Sequence, residues 1–188
     1  MRTREACALL LLAIALDPCN AAQSALSQDR QEKPRSAKEA QKRLEGLACN
    51  DQDPGYSHHT DEGPQVLPTP PANKGLVYVV RSSGVGPWEQ TKLAVDQKWV
   101  GTNGTHNYFY VELEPGVHYF CSDGEGRSLL SLIIEEGKTY YLQQSITPYL
   151  NQLQLLDEEA GKSALAKCKK SLFIAKNKTH LGRTVCCK

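Results

Sequence analysis

Short runs of β-branched and aromatic residues, separated by turn-forming residues, dominate the chain from position 74 to 156. Phe109, Val111 and Leu113 alternate with polar neighbours and place one apolar face on their strand. Seven strands are predicted, at 76–80, 91–95, 98–102, 108–113, 117–122, 129–134 and 139–144, with a further candidate at 151–155. Turn signals at short, regular spacing favour a small antiparallel, immunoglobulin-like β-sandwich over βαβ units.

Helical patterns flank this region on both sides. Ser36 and Glu39 have capping-box spacing, which predicts a short helix that begins after Ser36 and ends near Gly46. Asp157 is the predicted N-cap of a second helix. The apolar stripe of the first helix consists of Ala37, Ala40, Leu44 and Leu47, and that of the second of Ala160, Ala164, Leu165, Cys168 and Leu172. The sequence therefore predicts a mainly β protein with a short helix at each end.

Residues 51–72 contain five prolines and two glycines and few apolar side chains. This composition predicts an extended linker, partly polyproline II at Leu67–Pro71. The predicted organisation is a signal peptide (1–22), a short helix with a Pro-rich linker (23–73), the β-sandwich (74–156), and a C-terminal helix with a basic tail (157–188).

The N-terminus has the features of a secretory signal peptide. Arg2 and Arg4 precede the apolar run 6–16, which is too short to span a bilayer, and cleavage is expected after Ala21 or Ala22. Acylation of Cys19, which would make the chain a lipoprotein, is the alternative. Both interpretations predict an exported protein, periplasmic or extracellular, and no transmembrane segment remains after cleavage of the signal.

Export permits disulfides, and five cysteines follow the signal peptide. None of them forms a C-x-x-C pair, which argues against redox motifs and zinc ribbons. A bond between Cys49 and Cys121 would join the first helix to the sandwich. Cys168 is expected to pair with Cys186 or its neighbour Cys187, and we assign Cys186.

Charge is distributed unevenly along the chain. Residues 160–188 contain seven lysines, one arginine and no acidic residue, a formal charge of +8, so the rest carries −7 in a total of +1. The tail is either solvated against its own acidic domain or docked on an anionic membrane or wall polymer. Nucleic acid is not expected as a partner, because an exported protein seldom meets it.

Catalytic and metal-binding motifs are weak. His58 and His59 lie near acidic residues with metal-ligand chemistry, namely Asp51, Asp53, Asp61 and Glu62. A Pro- and Gly-rich linker does not preorganise a metal site, which favours a solvated loop. His118 and Cys121 point to opposite faces of a strand and cannot act as a pair. We therefore predict no cofactor and no enzymatic activity.

Four aromatic residues define a candidate binding surface: Trp88, Trp99, Tyr108 and Tyr110. Both tyrosines lie opposite the apolar face of their strand, so an exposed patch for a glycan or a protein is one prediction. The alternative is that the Pro-rich linker or a terminal helix covers them.

Several segments together resemble a known bacterial family. They are Leu76–Arg81, Val95–Gly101, Tyr108–Phe109, Glu114–His118 and Glu136–Tyr141, with fold-defining residues Asp96, Gly101, Pro115, Gly116, Gly137, Tyr140 and Tyr141. In order and spacing they resemble domain of unknown function 2846 and the broader PEGA-type sandwiches of bacterial envelope proteins. Gln97 stands where that hairpin usually has glycine.

The resemblance implies a small sandwich without assigned catalytic residues. The function expected from the sequence is a non-catalytic interaction with a protein or an envelope surface. The alternative is a metal-dependent or enzymatic activity that uses His58 and His59.

Overall fold

Ten β-strands form two sheets in the computed structural model, which describes residues 36–52, 55–83, 90–147 and 150–176. The strands are β1 (Tyr56–Thr60), β2 (Gly75–Arg81), β3 (Thr91–Val95), β4 (Lys98–Asn103), β5 (Asn107–Leu113), β6 (Gly116–Gly124), β7 (Gly126–Ile134), β8 (Thr139–Thr147), β9 (Leu150–Leu156) and β10 (Lys169–Ala175). The helices are α1 (Ala37–Ala48) and α2 (Glu158–Leu165). The six-stranded sheet has the order β1-β10-β5-β2-β8-β9, and the four-stranded sheet has the order β4-β3-β6-β7.

This architecture confirms the predicted β-sandwich. The predicted signal peptide, the lipidation site Cys19, Trp88, Cys186 and the tail after Lys176 lie outside the described residues. No helix in the described ranges is long and apolar enough to cross a bilayer.

The main core lies between the two sheets, where alternate residues of each strand point inward. Val77 and Val79 of β2 pack with Phe109 of β5 and with Phe120 of the opposite sheet. Val111 and Leu113 pack against the same cluster, which confirms the predicted apolar face. The intervening side chains of β2 point to the outer face of the six-stranded sheet.

The sheet is mixed, whereas the sequence predicted antiparallel pairing throughout. β2 pairs with β8 in parallel from Leu76 opposite Thr139, and β10 pairs with β5 in parallel at Lys169 opposite Asn107. The chain leaves β2, builds the four-stranded sheet, and only then returns with β8. Hairpin signals report only neighbouring strands, so these long-range pairings were not predicted.

The linker prediction for residues 51–72 was wrong in one part, because β1 lies within it. β1 pairs antiparallel with β10, with Tyr56 opposite Ala175. Tyr56 is buried, and its ring meets Phe173 edge to face at 5.7 Å. The sandwich is therefore wider than the predicted span 74–156.

The second helix is shorter than predicted. Asp157 caps it as expected, accepting a hydrogen bond from the Ala160 amide at 2.8 Å. The helix ends at Leu165, and the chain continues as β10 instead of extending to Leu172. Phe173 on that strand packs against Phe109 at 5.5 Å, so this aromatic side chain joins the core only if the helix has ended.

The turn residues occupy the conformations that their positions require. Asp96 and Gln97 have φ of 49° and 65°, as in a two-residue hairpin turn, and Gly137 has φ of 69°. A side chain at Gly101 would meet the rings of Phe109 and Phe173 within 3 Å. Gly116, after Pro115, has φ of 145° at the start of β6. Tyr140 packs on the main core, whereas Tyr141 packs with Leu76 and Tyr78 on the outer side of the six-stranded sheet, so the two tyrosines point to opposite faces.

Candidate functional site on the outer face of the six-stranded sheet

Four tyrosines meet on the outer face of the six-stranded sheet, and we call them the tyrosine cluster. Tyr78 lies opposite Tyr110 of β5 and Tyr141 of β8 in strand register. Its ring stacks on Tyr141 with centroids 5.7 Å apart and planes 11° apart, and meets Tyr110 at 5.9 Å and Tyr108 at 6.1 Å. Three adjacent strands thus present a continuous aromatic surface.

Residues 61–71, which we call the strap, cross this surface without regular secondary structure. The hydroxyl of Tyr78 donates a hydrogen bond of 2.8 Å to the carbonyl oxygen of Pro68. The side-chain amide of Gln65 donates to the carbonyl oxygens of Leu165 and Cys168, at 3.3 and 3.2 Å. The strap is therefore joined both to the tyrosine cluster and to the end of α2.

Helix α2 lies directly on the cluster because Gly161 permits close approach. A Cβ atom at Gly161 would lie only 2.2 Å from Cγ of Tyr141. Ala164 and Leu165 are buried in the same apolar cluster.

Two cavities lie along the strap, one lined by its residues 65–70 and the other by its residues 61–66, and they share Gln65 and Ala166 in their walls. The first has a volume of about 340 Å³ and is lined mainly by Leu67, Pro68, Pro70, Tyr78, Tyr141 and Leu165, with Thr139 and Lys162 at its margin. The second, of about 420 Å³, is lined by Tyr108, Cys168, Lys169, Lys170 and strap residues. We call the two cavities together with the strap that lines them the tyrosine groove. Both volumes fall within the range of small-molecule and peptide side-chain sites.

The groove is lined by groups that stay protonated at neutral pH. Burial, with smaller contributions from Tyr108, Tyr141 and Tyr110, raises the pKa of Tyr78 to about 12. Burial is also the main cause that raises the pKa of Tyr108 and Tyr141. It raises the pKa of the Cys168 thiol to about 11, which disfavours the nucleophilic thiolate.

Charged groups stand at the rim and have partners. Lys162 contacts Glu158 of the same helix at 2.5 Å, and Lys169 pairs with Glu62 of the strap. The ammonium group of Lys170 lies 5.3 Å from the ring centroid of Tyr110. An aromatic floor with paired charges at the rim is suited to holding a ligand rather than to proton transfer.

The structure divides the predicted aromatic patch between two faces. Tyr108 is completely buried, which contradicts an exposed patch at that position, and Tyr110 is half-buried. Trp99 lies on the four-stranded sheet, where its indole N–H donates to the Gln52 carbonyl at 2.6 Å. Trp88 is outside the described residues. The alternative prediction, that a terminal helix or the linker covers the aromatic residues, therefore holds for Tyr108. This residue packs in one buried cluster with Leu165 of α2 and with Cys168.

The predicted disulfide between Cys49 and Cys121 is present and joins α1 to β6, with Cα atoms 5.2 Å apart. Cys168 is buried and is not bonded to another described cysteine. Its predicted partner, Cys186, lies outside the described residues.

The histidines predicted as alternative site residues do not converge. His58 and His59 are consecutive on β1 and point to opposite sides. A ring nitrogen of His58 lies 2.8 Å from the Gln90 amide, and burial, followed by His59 and Arg81, lowers the pKa of His58. In the ranges that the structure describes, no three His, Cys, Asp or Glu side chains are grouped so as to hold a metal ion.

His118 is not paired with Cys121; its ring contacts residues of two turns. Its two ring nitrogens contact the Asp96 carboxylate at 2.7 Å and the Glu114 carbonyl oxygen at 2.8 Å. Cys121 is in the disulfide and has no thiol to offer.

A polar network inside one end of the sandwich was not predicted. The amide of Asn103 donates to the Val79 carbonyl and to Gln144, whose own amide donates to Ser122 at 3.1 Å. Asn151 donates to the Ser122 carbonyl at 2.9 Å. These side chains occupy inward positions of their strands, so strict alternation is the signal that would have located them.

Tyr78 is the groove residue that the sequence analysis missed as a site residue. It was assigned only to a strand, and because all five residues of Leu76–Val80 are apolar, the sequence does not show which of them point to the outer face. Its contact with Pro68 depends on the path of the strap, which periodicity does not report.

Comparison with known proteins gives one similarity. A protein of Haemophilus influenzae, described only as uncharacterized, is 30% identical over 100 residues, which are 50% of this chain and 59% of that protein. The chain thus spans less than two thirds of the relative's length. No family model matches the chain, and no solved structure matches it. The function is therefore argued from the geometry of the groove.

Proposed function

We propose that this chain is an exported, non-catalytic β-sandwich module that binds a partner at the cell envelope through the tyrosine groove. The observation that carries the proposal is the cavity of about 340 Å³ between the strap and α2. Its floor is the stacked pair Tyr78 and Tyr141, and its walls are proline and leucine side chains. Aromatic and apolar linings with few polar groups are typical of binding sites.

Three observations support location outside the cytoplasm. The first 22 residues have the pattern of a signal peptide. Cys49 and Cys121 form a disulfide, which persists in oxidising compartments. The sequence segments quoted above resemble PEGA-type envelope modules. N-terminal sequencing of the mature protein is expected to begin at Ala22 or Gln23, and an intact Met1 would contradict export.

The chemistry of the groove supports binding over catalysis. General acid–base catalysis at neutral pH works best with a group whose pKa lies near 7. Tyr78 and Cys168 have pKa values raised to about 12 and about 11, so both remain protonated. Lys162 and Lys169 are held in ion pairs with carboxylates.

Site-specific photo-crosslinking in intact cells tests the proposal. A photoreactive amino acid at Thr69, which is exposed on the strap beside the cavity, is expected to give a defined adduct. The same group at Ser131, exposed on the four-stranded sheet, is the matched control and is expected to give none.

A cavity-filling variant sharpens the experiment. T139W places an indole at the margin of the cavity and is expected to abolish the Thr69 adduct, whereas S131W on the other sheet is expected to leave it unchanged. Equal adducts from Thr69 and Ser131, or no adduct from Thr69, would contradict binding of a cell-envelope partner at the groove.

A further inference from the structure

We propose that the tyrosine groove is a binding site for extended, proline-containing peptides, and that the strap is its intramolecular occupant. The inference rests on the proposed function and adds the chemical class of the ligand. A partner carrying such a segment would bind by displacing the strap from the tyrosine cluster.

The strap already shows how this surface holds proline. Its sequence Leu67-Pro68-Thr69-Pro70-Pro71 favours the polyproline II conformation, whose carbonyl groups make no internal hydrogen bonds. Tyr78 donates to one such carbonyl, that of Pro68. Pro68 and Pro70 are half-buried towards the cavity, and Thr69 between them is exposed. Aromatic grooves that combine ring packing with such contacts are a general means of recognising proline-rich segments.

The strap is held loosely compared with the strands around it. Within the described ranges, no backbone–backbone hydrogen bond joins residues 62–71 to the sheets. The strap makes such a bond at its first residue, from the Asp61 amide to the Lys170 carbonyl oxygen, and at its last residue the Pro71 carbonyl accepts a local turn bond from Lys74. Val66 and Leu67 are 72% and 46% exposed, although both are apolar. By contrast, every residue of β2 beneath it is buried. The strap can therefore leave the groove without disturbing the sheet.

The groove also has room for a ligand to enter before the strap has left. The first cavity is lined by Pro68 and Pro70 of the strap and also, outside the strap, by Tyr141, Thr139 and residues of α2. A second extended segment could contact Tyr141 there and then replace the strap at Tyr78. This route requires no movement of the disulfide-bonded face of the sandwich.

Intramolecular occupancy gives the site a distinctive signature. A tethered segment acts at a millimolar effective concentration, so it competes with any peptide added from solution. The apparent affinity for that peptide equals the affinity of the open groove multiplied by the fraction of molecules in which the groove is open. Loosening the strap should therefore tighten binding of the added peptide, which an ordinary exposed patch would not do.

The experiment uses the chain's own strap sequence as the probe. A fluorescent peptide of residues 64–72 is titrated with the full mature chain and with the strap variant P68A/P70A. The variant is expected to bind about tenfold more tightly than the wild type, because its groove is open more often. A control peptide with alanine in place of Pro68, Pro70 and Pro71 is expected to bind neither protein.

Adding Y78F to the strap variant tests the hydroxyl directly. Loss of one hydrogen bond to the peptide carbonyl should weaken binding about two- to tenfold relative to P68A/P70A. Far-UV circular dichroism and the Cys49–Cys121 disulfide report that each variant is folded. If P68A/P70A does not fold, Q65A replaces it, because that change frees the strap from α2 and leaves the prolines intact.

Each result decides the inference. Equal affinity of the strap variant and the wild type, or equal binding of the alanine peptide, would overturn it. If the peptide fails while the Thr69 adduct persists in cells, the groove binds a different ligand and the proposed function stands. If the peptide binds as expected while no Thr69 adduct forms, the ligand class stands and the envelope role fails.

Discussion

The outer faces of the two sheets are covered in different ways. On the four-stranded sheet, α1 is fixed by the disulfide to Cys121 and by Arg127, whose guanidinium contacts Glu45 at 2.7 Å and Asp51 at 3.2 Å. On the six-stranded sheet, α2 and the strap rest on tyrosines through packing and a few hydrogen bonds. A covalently fixed cover is permanent, whereas a packed cover can open, so the second face is the one suited to exchange with a ligand.

The two helices differ in how much of their length makes contact. Residues 36–43 of the α1 segment are exposed, and burial begins only near Ala48 and Cys49. The predicted apolar stripe of α1 thus lies largely in solvent at Ala37 and Ala40. α2 has eight residues against twelve in α1, but it buries Gly161, Ala164 and Leu165 against the sheet. α1 is therefore held at one end, and α2 along one face.

Removing the disulfide should have the largest effect on the fixed face. C49A/C121A opens a loop with a sequence separation of 72 residues, and we expect the free energy of unfolding to fall by about 4 kcal/mol in the chain-entropy description. Urea denaturation measures this, with C168A, a small change at a buried thiol, as the control. A loss below about 1 kcal/mol would mean that the α1 attachment contributes little.

A matched pair of helix glycines compares the two covers directly. G161A forces a methyl group into the Tyr141 ring and should destabilise the protein by about 1–3 kcal/mol, because α2 must move away. G46A has no heavy atom within 4 Å of the new methyl group and should stabilise α1 by up to about 1 kcal/mol. Thermal or urea unfolding of both variants checks the opposite signs, and equal signs would contradict the packed arrangement of α2.

Alkaline pH should loosen the packed face. The folded-state pKa of Tyr78 is raised to about 12 from an ordinary value near 10, so its stabilising contribution is complete below pH 10 and is lost as pH rises through 12. We expect a loss of about 1 kcal/mol by pH 11, reduced in Y78F.

Two measurements follow this alkaline transition. Absorbance of tyrosinate reports ionisation, and urea denaturation at pH 9 and pH 11 reports stability. R127A, which changes a residue of β7 on the four-stranded sheet and no tyrosine contact, serves as a control whose pH dependence should match the wild type. Ionisation of all tyrosines near pH 10 would show that the cluster is open to water.

The ion pairs of Arg127 should have the smallest effect. Its side chain is 33% exposed and Asp51 is 95% exposed, so R127A is expected to cost about 0–1 kcal/mol. A double-mutant cycle with E45A isolates the pair. A coupling above about 2 kcal/mol would show that charge, and not the disulfide alone, fixes α1.

The elements predicted well are those with local signals. The strand at Leu76–Val80 is β-branched and aromatic, and the turn at Asp96–Gln97 lies between two apolar runs. Both caps, Ser36 and Asp157, follow from side-chain chemistry within three residues. Such features depend on neighbours in the chain, and the sequence displays them directly.

The missed elements depend on distant contacts. β1 has the sequence Tyr56-Ser-His-His-Thr60, which shows no apolar alternation, and it is a strand because β10 pairs with it. β10 was assigned to a helix because Cys168 and Leu172 continue the apolar spacing of α2. The groove arises only when strap, helix and three strands come together, so its outline was not readable from periodicity.

The bond between Cys49 and Cys121 also determines what a protease could do to this molecule. The strap lies inside the covalent ring that the bond closes, together with β1 to β5. A single cut in the strap would divide the backbone, yet the two fragments would stay covalently linked through the disulfide. A protease can therefore cleave the exposed strap without releasing the N-terminal fragment, and the fragments cannot separate unless the disulfide is reduced.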